Sequence, residues 1–513
     1  MSERPNILLI ISDQMIAALT GAYGHPVVKT AALERLCAEG IRFDAAYTPY
    51  PLCAPARACL MSGRYASVNG CIDNGAPLRE DLPTFAHYLT NAGYDTVLSG
   101  KMHFVGADQL HGFNRRLTTD IYPPDFGWVK PEWVRMKETR GEGYEEIMAE
   151  RKSYNAASYT GDAVHVDEWN SALSYDEETH FRALEYLHAK GVQSGPGKEQ
   201  PFLLCASYHH PHEVFWPPRE YWDLYEGEEI AIPEFPEDLA DSYSIMDKWL
   251  NAYHGIKRYD LRDPDGLYKL RRAYYGLVSY MDRKVGELLD ALTENGLDAN
   301  TVVIFISDHG DMLCEKEMVQ KRVFYEWSSR VPFIARFPDG RSAGWQCGQP
   351  VSLLDLLPTM CELAGVRDLL DCDGQSLMGL VDGSDREEEG EVMAEMHEVV
   401  GTPCFMIRRG KYKYVHIHDH EGQLFDLEAD PGEWNNLAGR PECAQVEAEL
   451  RARILATFDP EAIGEAARES LQRRDVIRKA MQANGTSWDH QPQFDGRKNS
   501  LAQYLPARGN SRG

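Results

Sequence analysis

The 513-residue chain has no apolar run approaching the eighteen or so residues that a membrane-spanning helix needs. No membrane partner is expected. It also lacks a basic surplus: 53 Lys and Arg stand against 80 Asp and Glu, a formal charge of −27. Binding to nucleic acid draws on cations that replace phosphate counterions, so no nucleic-acid partner is expected either. Its eleven cysteines are odd in number and scattered without paired spacing. That argues for free thiols in a reducing compartment and against a disulfide framework. The opening Met1-Ser2-Glu3-Arg4-Pro5 has no signal-peptide h-region or small-residue cleavage site behind it. A cytoplasmic protein is the expectation. No internal repeat or low-complexity tract is visible, and the length suffices for two or three domains around a large core.

What the chain does have is a set of short, wholly apolar runs that end in chemistry. Asn6 and five apolar residues lead to Ser12, Asp13 and Gln14; residues 95–99 lead to Gly100-Lys101-Met102-His103. Residues 201–208 lead to His209-His210-Pro211-His212, and residues 301–307 to Asp308-His309-Gly310-Asp311. Such runs read as strands buried on both faces, and open α/β sheets build their sites at the C-terminal ends of parallel strands. Singly, each polar residue there reads more simply as a cap or loop residue; jointly they do not. The three histidines after residue 208 have no cysteine or acid at zinc-finger spacing, so a substrate-facing role is expected of them.

Helical stripes follow at 30–40, 82–93, 270–292 and 352–365, and short alternating stretches after 376 predict a small antiparallel sheet and a closing helix at 444–458. Residues 108–175 and 213–265 are aromatic and proline-rich, and read as long excursions over the sheet edge.

Pro51-Leu52-Cys53-Ala54-Pro55-Ala56-Arg57 is the most specific string. With a helix from Pro55 onward, Cys53 lies near a helix start, where free N–H groups favour an anion, and Arg57 lies about one turn along. Asp13, Asp308 and His309 make a site for a divalent ion, with oxygen donors suiting calcium, magnesium or manganese and the imidazole favouring manganese. Arg57, Lys101, His103, His212 and Lys321 would surround a tetrahedral anion with positive charge.

The Cys-x-Pro-x-Arg string resembles the signature of type I sulfatases, of the alkaline phosphatase superfamily. Asp13, Asn74, Lys101, His103, His212, Asp308, His309 and Lys321 follow in the family's order across essentially the whole chain. The strings at 51–58, 98–103, 108–113, 117–122, 125–128 and 488–492 resemble choline sulfatases in particular. The resemblance implies an α/β fold: an alkaline-phosphatase-like sandwich, a large mixed central sheet flanked by helices, plus a smaller C-terminal antiparallel sheet. It implies a catalytic domain at 1–375, an α+β subdomain at 376–460, and a tail at 461–513 that packs on a neighbouring subunit of a homodimer or homotetramer.

It further implies that a formylglycine-generating enzyme converts Cys53 to formylglycine, which joins Asp13, Asp308 and His309 in holding one Ca2+ or Mn2+. One hydroxyl of the aldehyde hydrate would attack sulfur, and the other would expel sulfate. Arg57 would hold the hydrate, Lys321 or a histidine would protonate the leaving alcohol, and His103 would act as base. Gln14, Asn74 and His210 would contact the sulfate ester, while Trp128, Trp488, Asp489 and Glu398 would hold a quaternary ammonium. Cys314, Gln320 and residues 129–170 depart from that pattern. Phosphonate monoester and phosphodiester hydrolases or arylsulfatases on the same scaffold are the rival enzymes. A non-catalytic binder of organic cations, with an unmodified Cys53, is the rival of another class.

Overall fold

The computed structural model describes residues 4–151, 155–193, 200–385, 389–486 and 488. The strands of the large sheet are β1 (Asn6–Asp13), β2 (Ile41–Tyr47), β3 (Asp95–Gly100), β4 (Arg115–Arg116), β5 (Phe202–Pro211), β6 (Thr301–Ser307), β7 (Phe333–Arg336) and β8 (Trp345–Ser352). They lie in the order β4-β3-β5-β1-β6-β7-β2-β8. β3, β5, β1 and β6 are mutually parallel neighbours, and β7 runs against both β6 and β2.

The apolar runs owe their texture to this burial. Successive side chains of β1 point to opposite faces. Leu8 and Ile10 enter the core built with the helices Ser171–Gln193 and Pro264–Glu294. Ile7, Leu9 and Ile11 enter the core built with Phe85–Asn91 and Leu356–Leu363. All five are fully buried, each contributing about 1.5–3 kcal/mol, so neither face leaves room for a polar residue until the strand ends. The helix Pro264–Glu294 starts six residues before the 270–292 stripe, at a cap: the Asp263 carboxylate accepts from the N–H groups of Asp265 and Gly266, and Pro264 needs no partner.

A second sheet is antiparallel throughout, in the order β12-β11-β10-β9, from β9 (Glu391–Met396), β10 (Cys404–Arg409), β11 (Tyr412–Ile417) and β12 (Gln423–Asp426). The helix Ala444–Thr457 covers one face of it, setting Leu450 and Ile454 against Phe405, Ile407 and Leu424. The mixed sheet flanked by helices and the smaller antiparallel sheet are the architecture expected. One stretch differs from its reading. Pro460–Asn484, taken as tail, is a helix folded on its own chain, with Ala467, Leu471 and Arg474 buried.

Candidate active site

Four parallel strands deliver their ends to one rim. β1 ends at Asp13, β6 is followed by Asp308 and His309, β3 by Lys101, and β5 carries His209 and is followed by His212. Gly100 allows β3 to leave the sheet there. Its φ is +105°, and a Cβ would stand 1.8 Å from the Ser207 carbonyl oxygen, so no other residue fits.

Cys53 opens the helix Cys53–Ser62, every residue of which is buried. Asn74 Oδ1 accepts from the Ala54 N–H at 3.0 Å, taking up one free donor of the first turn. The Cys53 thiol lies 3.1 Å from His309 Nε2 and 3.9 Å from Asp13 Oδ1. One ligand atom from each of Asp13, Cys53, Asp308 and His309 falls within 4.8 Å of the others. His309 Nδ1 donates to the Gly310 carbonyl at 2.9 Å, which leaves the Nε2 lone pair facing the cluster. Two carboxylates, a neutral imidazole and residue 53 therefore fit a divalent ion.

Arg57 is wholly buried between the acids. Its Nε donates to Asp308 at 2.8 Å and its Nη2 to Asp13 at 3.2 Å, while Nη1 donates to the Lys101 carbonyl at 2.6 Å and Ser207 Oγ at 2.7 Å. The Lys101 ammonium pairs with Asp13 and stands 4.5 Å over the Tyr122 ring. Burial alone would raise the Asp13 carboxyl. The Lys101 ammonium, and with it the Arg57 guanidinium, outweigh it and hold Asp13 well below the usual carboxylate range.

Across the cluster, Lys321 Nζ donates to His212 Nε2 at 2.8 Å and to Gln14 Oε1. Burial, then the Lys321 charge, drives the His212 imidazole well below its ordinary value. His212 is thus a neutral acceptor, its Nδ1 donating to the Glu213 carbonyl at 3.0 Å. His103 is lowered by burial too, partly opposed by the Cys53 thiol, and neither ring nitrogen has a hydrogen-bond partner among the described residues. Its left-handed backbone, φ 57°, is held by Asp120, which accepts from the N–H groups of Met102 and His103 and pairs with Arg116.

The structure thus brings Asp13, Cys53, Arg57, Lys101, His103, His212, Asp308, His309 and Lys321 together, with Asn74 beside them. Other positions differ from their reading. His210 turns away: its Nδ1 bonds to Asp176 at 2.6 Å and its ring packs on Tyr280. Strand alternation puts His209 on the site side instead, 4.6 Å from the His212 ring and 6.0 Å from Tyr122. Gln14 is committed to the scaffold, its amide bridging Lys321 to Glu213 and Asp311. Glu398 is wholly buried; Arg322 donates to it at 2.9 and 2.8 Å and the Asn74 N–H at 2.9 Å, so this carboxylate sets the Asn74 turn.

Trp128 does approach the site, its ring 5.1 Å from His103 and 5.0 Å from Tyr122. Trp488 packs edge-on against Phe126 of the same chain, 4.8 Å away, and Asp489 lies outside the described residues. Tyr122, Asp120 and Arg322 were not singled out from the sequence, and of the three histidines after residue 208 it is His209, not His210, that joins His212 on the site side. The 117–122 string held Asp120 and Tyr122, and the aromatic density of the 108–175 excursion pointed toward Tyr122, without giving either a role.

Arg474 reaches this region from the C-terminal helix, donating to Asp73 at 2.7 and 2.6 Å in a buried fork beside Asn74. Arg474→Ala leaves Asp73 buried and unpaired. It should lower unfolding stability by about 3–5 kcal/mol and weaken ester hydrolysis by moving the Asn74 turn. Urea unfolding together with kcat and KM at full folding checks both effects.

A rim of parallel strands bearing these groups, facing a cation-ringed cysteine at a helix start, is that of a hydrolase of the alkaline phosphatase superfamily. The chain belongs to the sulfatase family within it: the family profile described as Sulfatase matches residues 5–366. A second profile, N-sulphoglucosamine sulphohydrolase, C-terminal, matches residues 314–459. The chain is 40% identical over 498 residues to the choline-sulfatase of Rhizobium meliloti (strain 1021), covering 95% of this chain and 94% of that protein. It is 30% identical over 468 residues to the uncharacterized sulfatase YidJ of Escherichia coli (strain K12), covering 89% and 88%. Among solved structures, the phosphonate monoester hydrolase of Agrobacterium radiobacter shares the fold, with a TM-score of 0.68, 23% identity and coverage of 88% of this chain and 95% of that one. The protein is a sulfuric ester hydrolase, as the motif order implied. No helix among the described residues is long and apolar enough to cross a membrane.

Proposed function

We propose that the protein hydrolyses choline sulfate, or a closely similar small cationic sulfate ester, at a formylglycine made from Cys53 beside one divalent ion. The convergence of Asp13, Cys53, Asp308 and His309 inside a ring of Arg57, Lys101 and Lys321 carries this reading. The Cys53 sulfur stands where an oxygen of the converted residue would lie. Asp13, Asp308 and His309 would hold the ion, calcium or manganese, which would neutralise charge on the ester oxygens. Formed from Cys53, a formylglycine hydrate would supply one hydroxyl as nucleophile toward sulfur and a second whose deprotonation would release sulfate.

The chain's own groups do the rest. Arg57 fixes both carboxylates and faces residue 53, favouring an ionised hydroxyl there. Lys101 and Asn74 border the position of the ester oxygens. His103, neutral and unpartnered, can accept the proton of the second hydroxyl. Lys321, hydrogen-bonded to neutral His212, can give a proton to the departing alcohol. Trp128 and Tyr122 meet at 86° and offer aromatic surface to an ammonium, worth about 0.5–2 kcal/mol.

Purified enzyme assayed with choline sulfate, an aryl sulfate and an aryl phosphonate of matched leaving group tests the substrate. The highest kcat/KM is expected for choline sulfate; preference for the phosphonate would replace the reading with the rival hydrolase. The acid has its own signature. Lys321→Ala should cut hydrolysis of an alkyl sulfate by about 10²–10⁴-fold, while a nitrophenyl sulfate, whose leaving group needs no proton, should lose far less. Equal losses would remove Lys321 from that role.

A further inference from the structure

We propose that Glu213 is a positioning residue for departure of the alcohol, closing a hydrogen-bond circuit that aims the Lys321 ammonium; this rests on Lys321 being the proton donor. Lysine carries a point charge on a flexible four-carbon stem, so a fixed backbone does not by itself fix the ammonium. The backbone here is held on both sides. The Gln320 carbonyl accepts from the Met312 N–H at 2.7 Å, and the Arg322 N–H donates to the Pro51 carbonyl at 3.0 Å. The ammonium itself is set by two neutral acceptors, His212 Nε2 at 2.8 Å and Gln14 Oε1. An ammonium has three N–H groups, so one is left for the departing oxygen.

Both acceptors are anchored on one carboxylate. His212 Nδ1 lies 3.1 Å from Glu213 Oε2 as well as 3.0 Å from the Glu213 carbonyl, and Gln14 Nε2 donates to the same Oε2 at 2.9 Å. Gln320 Nε2 donates to the other carboxylate oxygen. The circuit therefore runs from Lys321 through His212 to Glu213 and back through Gln14. Asp311 also accepts from Gln14, but it is taken up by the Tyr159 hydroxyl and the Leu313 N–H. It makes no hydrogen bond to His212 among the described residues.

Only 13% of the Glu213 side chain is exposed, yet no lysine or arginine among the described residues forms an ion pair with it. A buried carboxylate answered by amides and an imidazole is costly to desolvate, and an amide of the same shape would fill its place without that cost. What the charge adds is polarisation along both arms. It favours the Nδ1–H tautomer of His212, and it strengthens His212 Nε2 and the Gln14 oxygen as acceptors. Two protons of Lys321 are thereby held and the third is kept for the ester.

Glu213→Gln keeps the size of the side chain and removes its charge. At full folding, kcat/KM, which covers the steps up to alcohol departure, should fall about 10–100-fold for an alkyl sulfate and far less for a nitrophenyl sulfate. Added to Lys321→Ala, the same substitution should cost almost nothing further, because it acts through that ammonium. Equal losses on both esters, no loss on either, or a full further loss in the double variant would each overturn the role of Glu213. Lys321→Ala alone keeps the two readings apart. If its own loss is the same for both esters, Lys321 is not the acid and Glu213 falls with it. If its loss tracks the leaving group while that of Glu213→Gln does not, only Glu213 falls.

Discussion

A Cys53→Ala protein is expected to fold like its parent and to lose at least about 10⁴-fold in sulfate ester hydrolysis. Alanine removes the only atom through which residue 53 could act. The pocket stays otherwise intact, because Cys53 makes no backbone demand that alanine cannot meet as the first residue of its helix. Circular dichroism and the melting temperature should match the parent, which separates chemistry from folding. Cys53→Ser sharpens the result. A serine hydroxyl could be sulfated once, but it has no second hydroxyl to expel the group, so at most a single turnover is expected. In the active parent, the peptide containing residue 53 should be about 18 Da lighter than its cysteine form, the difference between CH2SH and CHO. Full turnover by Cys53→Ala would remove the mechanism altogether.

The second large effect is expected at Arg57. This guanidinium is the cation shared by Asp13 and Asp308, and none of its surface reaches water. Arg57→Met fills most of the volume but leaves Asp13 answered by Lys101 and takes from Asp308 its guanidinium partner. Breaking a buried ion pair from one side typically costs about 3–5 kcal/mol, and losing a donor aimed at the reacting centre costs a further ~10²–10³ in kcat. A divalent ion in excess should restore part of the lost stability, since it neutralises the same carboxylates and binds only the folded form. It should not restore the rate, because the hydrogen-bond donors would still be missing. Urea unfolding with and without added ion, beside kcat at full folding, reads the two effects separately. Unchanged stability and rate in Arg57→Met would show that the carboxylates do not depend on it.

The parts of this site that could be read from sequence are those governed by local rules. Asp13 and Asp308 stand out because a strand buried on both faces admits no acid until it ends, and Cys53 and Arg57 because one helical turn separates them. What could not be read depends on pairs distant along the chain. Asp120 organises His103, Glu398 serves Arg322 and Asn74, and Arg474 reaches back about 400 residues to Asp73. None of these has a spacing rule. His210 was chosen over His209 because the parity of β5 relative to the rim is fixed by its neighbours, not by its own residues.

The fold shows the same division. β8, with Gly348 and Pro350 within it, escaped notice because it is an edge strand, where breaks in the ladder are tolerated. The helix Pro460–Asn484 read as tail because it lies on the surface and buries few side chains.

The complete enclosure of the helix Cys53–Ser62 has a consequence for timing. An enzyme that converts Cys53, as the proposed mechanism requires, would have to reach this segment, and the finished fold encloses it. The groups that later close over this cysteine include Asp308, His309 and Lys321, more than 250 positions further on. During synthesis the segment therefore waits, uncovered, while most of the chain is still being made. On the proposed mechanism, conversion of Cys53 would have to fall in that interval, and a copy that folds shut first would keep its thiol.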